Sequence, residues 1–124
     1  MERGGLRYPK AIRVRTKSEI DRVFRTGARY SCKGMRLHVA ANTLGNSRAV
    51  FVPVKSFDGS VRRNRAKRVA REGWRLGFSG VRAGYDLAFV LYPEEGGARP
   101  ELEDYRSRMR YLLKKAGLLE GAAR

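Results

Sequence analysis

The sequence predicts one α+β domain in which helices pack on a small sheet as a two-layer structure. Three observations carry this. The chain has 124 residues, the size of one ordinary domain that can bury a core without staples. Hydrophobic residues make up 42% of it, with no internal repeat and no low-complexity segment, so it is a folded body and not a basic tail. Segments of helical period are interleaved with short β-type runs in the order α-β-β-α-β-α, and residues 30–41 are long enough to divide into two strands.

The elements follow along the chain. Residues 1–15, with Pro9 among charges, read as an extended arm. Thr16-x-x-Glu19 is a capping-box pattern, with Ser18 as an alternative cap, and Ile20, Val23 and Phe24 form one apolar stripe behind it. Gly27 is placed to end that helix. In residues 30–41, Met35, Leu37 and Val39 share one face and Arg36 and His38 the other, the pattern of a half-buried strand. A turn-rich break at 42–46 precedes the apolar run 48–55, where Pro53 demands an edge or a bulge. Asp58-Gly59-Ser60 offers a turn and a helix cap, and residues 61–76 are helical in composition. After glycines at 77, 80 and 84, residues 85–92 form another strand. The last helix is expected to start near Pro100, at its first position, with Glu101, Glu103 and Asp104 in its first turn and Lys114 and Lys115 in its last. Leu102, Tyr105, Met109, Leu112 and Ala116 make its buried stripe, and Gly117 its stop. The ordered core is expected to span about residues 12–117, with flexibility expected in 1–11 and 118–124.

Charge narrows the function. Lys and Arg number 28 against 12 Asp and Glu, a net +16. So large a field on so small a body calls for a polyanionic partner. Nucleic acid comes first, because phosphates release counterions when cations neutralise them. The predominance of Arg suits bidentate phosphate contacts. The single cysteine, Cys32, excludes an internal disulfide, and the single histidine, His38, disfavours a histidine-based zinc site. No apolar run approaches the roughly 20 residues of a membrane span, and the N-terminus lacks a signal-peptide pattern. A soluble, cytoplasmic protein is expected.

The chemistry concentrates in residues 61–76. On a helical projection, Ala66, Val69, Ala70, Gly73, Leu76 and Gly77 fall on one arc of about 120°. Arg63, Asn64, Lys67, Arg68, Arg71 and Arg75 fall on the opposite arc of about 140°. A merely solvated helix would alternate acidic with basic residues, but only Glu72 is acidic here. The cationic arc is shaped to track a phosphate backbone.

Arg63-Asn64-Arg65-x-Lys67-Arg68-x-x-Arg71-Glu72 resembles the signature of the bacterial ribonuclease P protein subunit, and residues 18–27, ending Val23-Phe24-x-x-Gly27, resemble that family's first helix. The resemblance covers most of residues 12–116 in the family's order and spacing. Ser56, Asp58 and Ser60 stand where the family usually has a second lysine, a glycine and an alanine, and Ile20 where it often has an aromatic.

The resemblance implies an α-β-β-β-α-β-α fold of the ribosomal protein S5 domain 2-like type, with a left-handed β-α-β crossover. It also implies a protein that binds a large catalytic RNA and helps it remove the 5′ leader of precursor tRNA. The RNA and its Mg²⁺ carry the chemistry, and the protein alone holds no cofactor. By the same resemblance, Arg63, Asn64, Arg65, Lys67, Arg68 and Arg71 contact the catalytic RNA, although Arg65 lies off the cationic arc. A cleft between the first helix and the sheet would hold the single-stranded leader, at Ile20, Phe24, Tyr30, Met35, Arg36, His38 and Lys55. Core packing is an equally good reading of Phe24 and Met35, and surface exposure is expected of His38.

The sequence agrees that the protein is not the catalyst, since one histidine cannot serve as both acid and base and no paired-carboxylate site is evident. A ribosomal or other structural RNA-binding protein is the main alternative. A helix-turn-helix DNA binder would need a helix where residues 50–54 form a strand. A membrane-surface helix would need larger residues than Ala66, Ala70 and Gly73 opposite the cations. Neither DNA nor membrane is an expected partner.

Overall fold

Residues 16–78 and 80–119 are described by the structure, a computed structural model, and the expected arm at 1–15 lies outside them. Helix α1, Lys17–Thr26, starts at the expected capping box: Thr16 Oγ1 accepts from the Glu19 N–H at 3.1 Å, and Glu19 Oε1 accepts from the Thr16 N–H at 3.2 Å. Gly27 ends α1 in an extended conformation, not a left-handed one. A Cβ at Gly27 would lie 2.6 Å from the carbonyl oxygens of both Val23 and Val39, so glycine is needed there for close backbone approach.

Residues 28–41 form two strands, β1 (Ala28–Cys32) and β2 (Met35–Ala41), turning at Gly34, whose φ is +82°. Strand β3 (Arg48–Pro53) follows, then helix α2 (Ser60–Gly77), strand β4 (Tyr85–Leu91) and helix α3 (Leu102–Lys115). The order is the α-β-β-β-α-β-α that the resemblance implies. The sheet order is β1-β2-β4-β3, antiparallel except for the parallel β3–β4 pair. Pro53 therefore sits on an edge strand, where its missing N–H leaves no ladder bond unmade.

The two faces of the sheet carry different partners. Met35, Leu37, Phe51, Leu87, Phe89 and Leu91 point to the side of α2 and α3 and join the main core with Trp74, Tyr105, Met109 and Leu112. On the opposite side α1 covers a smaller cluster of Val23, Ala40 and Ala88, with Phe24 and Val50 at its margin.

One local expectation is sharpened and two are corrected. The cap offered by Asp58-Gly59-Ser60 falls on Gly59, at φ +90°, and is a backbone cap without a bond from the side chain of Asp58 or Ser60. The buried face of α2 is Ala66, Ala70, Gly73 and Trp74, while Leu76 is 49% exposed and Val69 half-buried. The buried arc is thus turned about 45° toward Trp74 from the arc of small residues. The large indole decides the rotation, because it reaches Phe51 and Phe89 while Ala and Gly only permit approach. Third, α3 starts at Leu102 with Glu101 as N-cap, so Pro100 precedes the helix instead of opening it. Its C-terminus closes as expected at Gly117, φ +75°, and Leu118 N–H returns to Leu113 O at 2.9 Å. The Leu118 side chain is buried, so packing continues past Gly117.

Candidate nucleic-acid interfaces

Helix α2 presents the cations. Asn64, Arg68 and Arg71 are exposed, and Arg63 and Lys67 are half-buried along one flank. Among the described residues, Arg63, Lys67 and Arg68 take part in no ion pair, and the one bond of Arg63 is a long 3.5 Å contact from Nη1 to Phe57 O. Arg75, on the expected cationic arc, is instead paired with Glu72 one turn back. Arg65 faces away from this flank and lines a cavity at the start of the helix with Val61 and Arg62. Five of the six sequence-derived RNA contacts thus lie on one continuous side of α2, and Arg65 stands apart.

The cleft residues divide between the two faces of the sheet. Phe24 on α1 and Arg36 and His38 on β2 come together, and Ile20 lies one turn before Phe24 on the same side of α1. Tyr30 and Met35 do not. Tyr30 is paired with Leu37, so both point toward α3, and Met35 is fully buried in the main core. Met35 is corrected to the core and Tyr30 to its half-buried margin, because strand alternation puts the odd-numbered residues of β2, and Tyr30 paired with one of them, on the face opposite Arg36 and His38. Lys55 is exposed two residues beyond the end of β3. Val50 and Val52, half-buried on the edge strand, share the face of Arg36 and extend its apolar floor.

His38 is also corrected: it is 4% exposed. The Phe24 ring packs edge-on against it, with centroids 4.6 Å apart. Arg36 Nε donates to His38 Nε2 at 3.1 Å, which requires an unprotonated acceptor nitrogen. Burial, and then the charges of Arg36 and Arg29, lower its pKa, so the ring is neutral at physiological pH. His38 therefore acts from beneath the surface: it supports Phe24 and aims Arg36, whose guanidinium lies 5.7 Å from the Tyr92 ring centroid.

An ionic cluster fixes α1 over this floor. Asp86, on β4, is fully buried. It accepts from Arg22 Nη2 at 2.8 Å, from Arg48 Nε and Nη2 at 2.9 Å each, and from Asn42 Nδ2 at 2.7 Å. Arg48 also reaches Glu19 of α1 at 3.2 Å. Burial opposes ionisation of Asp86, but the hydrogen bonds from Arg48, Asn42 and Arg22 outweigh it, and the carboxyl titrates below its ordinary range. Sequence reasoning missed these residues. The available signal was a lone carboxylate inside an apolar strand, which a fold tolerates only when paired.

The element order, the four-stranded sheet and the cationic side of α2 define a small basic α+β domain with a surface suited to a polyanion. A family model described as Ribonuclease P matches residues 8–117. The ribonuclease P protein component of Roseiflexus castenholzii is 33% identical over 115 residues, covering 91% of this chain and 92% of its own. That of Clostridium botulinum is 32% identical over 110 residues, covering 88% and 97%. The Staphylococcus aureus RNase P protein superposes with a TM-score of 0.73 at 18% identity, over 90% of this chain and all of that one. The Thermotoga maritima protein does so at 0.72 and 22% identity, over 83% and 96%. The chain belongs to the ribonuclease P protein family, the protein component of the ribonucleoprotein endoribonuclease that processes tRNA 5′ ends.

Proposed function

We propose that this subunit docks on the catalytic RNA of ribonuclease P through the α2 flank of Arg63, Asn64, Lys67, Arg68 and Arg71. The second face receives the 5′ leader of precursor tRNA, with Phe24 and Ile20 as apolar wall, Val50 and Val52 as floor, and Arg36 and Lys55 for phosphates. The observation that carries the reading is the cationic side of α2, where Arg63, Lys67 and Arg68 have no anionic partner among the described residues. Phosphates are the ligand that such a surface lacks. The leader assignment rests on the shape of the second face: one exposed-edged aromatic, a short aliphatic strip and a guanidinium suit unpaired nucleotides without strong base choice.

The protein supplies position and charge in this scheme, and hydrolysis belongs to the RNA. Among the described residues no group of three or more His, Cys, Asp or Glu is gathered to hold a metal ion. The carboxylates nearest the cleft, Glu19 and Asp86, are engaged by arginines. In this scheme the Mg²⁺ that the family's chemistry requires is held by RNA phosphates. Lowering the repulsion between leader and RNA is how the protein would reduce the Mg²⁺ requirement. No helix among the described residues is long and apolar enough to cross a membrane, and the proposed place of action is the cytoplasm, where the RNA partner would be met.

The test is cleavage of 5′-labelled precursor tRNA at low Mg²⁺ by the RNA alone, the protein alone and both together. Accurate cleavage only in the combined reaction is expected. Cleavage by the protein alone, or no stimulation of the RNA, would overturn the scheme.

A further inference from the structure

A cavity of about 470 Å³ opens between the first turn of α2 and the loop from β4 to α3, on the side away from the cationic flank. Neither the docking surface nor the leader cleft includes it. Three guanidiniums converge there from two elements: Arg62 and Arg65 from α2, and Arg99 from the loop. Arg62 Nη1 donates to Gly97 O at 3.0 Å and ties the two walls together. Two carboxylates line the same space, but Glu94 is held by Arg108 through two bonds of 2.8 Å, which leaves Asp58 as the opposing charge. The cavity is thus net cationic. It is also apolar on one side: Phe57 and Val61 line it, and Val61 is 70% exposed at its mouth.

We propose that this cavity receives one unpaired nucleotide of the RNA partner. This rests on the reading of the chain as the RNA-bound subunit. The volume falls in the range of small-ligand sites, about 300–1,000 Å³. A duplex backbone cannot enter a concavity of that size, whereas a bulged or looped-out nucleotide can. Its phosphate meets Arg65 and Arg99, and its base lies on Val61. A site for bare phosphate gains nothing from Asp58 or Val61. A base offers amino hydrogens to the first and a flat apolar surface to the second. The assignment also accounts for Arg65, which the family signature contains and the docking flank of α2 excludes. Ser56 and Asp58, two positions where the chain departs from the family pattern, line this cavity too.

The test is nucleotide-resolution 2′-hydroxyl acylation of the catalytic RNA with the full-length protein and its Arg99→Ala, Val61→Gln and Arg68→Ala variants. Arg99 and Val61 are exposed, so the fold is not at stake. Wild-type protein should protect an unpaired nucleotide whose protection weakens roughly tenfold in Arg99→Ala and Val61→Gln, the scale of one lost charged hydrogen bond or stacking contact. Arg68→Ala should leave that nucleotide protected and weaken contacts elsewhere. Protection patterns in Arg99→Ala and Val61→Gln identical to wild type, or uniformly weakened, would overturn the cavity assignment while leaving the docking assignment intact. Failure of wild-type protein to protect any of the RNA would overturn the docking reading itself. A companion titration of the free protein compares cytidine and guanosine monophosphates with inorganic phosphate by amide NMR. Larger shifts of Val61 and Arg62 with the nucleotides are expected, and equal shifts with phosphate would show an anion site without a base.

Discussion

Replacing Asp86 by Asn tests the physical basis of the second face most directly. The carboxylate is fully buried, the Arg48 side chain is 12% exposed and Arg22 is 39% exposed. Removing one partner of a buried pair costs about 3–5 kcal/mol, because the remaining charge is left uncompensated. Arg22 is exposed enough to rehydrate, so its share is small and the cost falls mainly on Arg48. Asn retains one acceptor oxygen but turns an amide N–H₂ toward a guanidinium, which puts the expected loss near the low end, about 3 kcal/mol. A small domain has only about 5–15 kcal/mol in total. Trp74, the sole tryptophan, sits in the other core and reports global unfolding by fluorescence. With an m-value of about 1.5 kcal/mol/M, the urea midpoint should fall by about 2 M at neutral pH with the slope unchanged. The pH dependence has a definite sign. The folded-state pKa of Asp86 lies below the unfolded one. Its contribution is therefore complete above the ordinary carboxylate range, about pH 4, and is lost as pH falls through the lower folded value. The gap between wild type and variant should narrow on acidification. A midpoint shift below about 0.5 M, or a gap that widens in acid, would refute the claim that this carboxylate anchors α1.

Other predictions follow from the same geometry. Gly27→Ala places a Cβ 2.6 Å from two backbone oxygens and should cost about 2 kcal/mol or more, against about 1 kcal/mol for Gly45→Ala, where only the positive φ opposes it; equal costs in thermal unfolding would contradict the steric account. Met35→Ala should destabilise by about 2–5 kcal/mol and spare leader affinity in whatever fraction remains folded, whereas Phe24→Ala should lower affinity for precursor with a leader and leave mature tRNA unaffected. Equal losses for both RNAs would remove Phe24 from the leader site. Arg63→Ala with Lys67→Ala should flatten the salt dependence of catalytic-RNA binding by at most about 2 logarithmic units of slope, and an unchanged slope would exclude that flank from docking.

What the sequence disclosed, and what it hid, sorts by the range of the interactions involved. The Thr16–Glu19 box and the Gly117 stop are closed by bonds within a few residues, so their patterns are readable directly. The rotation of α2 is not readable locally, because Ala and Gly count as apolar without being held by anything. Trp74, which contacts Phe51 and Phe89, sets the angle through residues up to 23 positions away. Asp86 gathers Arg22 and Arg48 from 64 and 38 residues upstream, a convergence no local window contains. The core position of Met35 is readable locally. Alternation alone groups it with Leu37 and Val39, across the sheet from Arg36 and His38, and only the family resemblance set it in the cleft. His38 read as exposed because a lone imidazole gives no sign that Phe24 will cover it and Arg36 will occupy its acceptor nitrogen.

The scarcity of acidic residues explains how one small chain can be both stable and adhesive to RNA. Glu19 and Asp86 engage Arg22 and Arg48, Glu94 engages Arg108, Glu72 engages Arg75 and Glu103 engages Arg106. The first three acids join separate segments of the chain; the last two brace single helices. Arg48–Asp86 and Arg108–Glu94 are largely buried on both sides, so they resist salt and fix the frame, whereas the exposed carboxylates of Glu72 and Glu103 leave their pairs open to screening. Arg68, one turn before Glu72, is left without such a partner because Glu72 reaches forward to Arg75 instead, and Lys67 has no acidic residue one turn away on either side. Their charge is fully available to an external anion and fully open to screening. Stability and RNA affinity should therefore respond differently to salt, since the same residue type serves both ends and only its pairing distinguishes them.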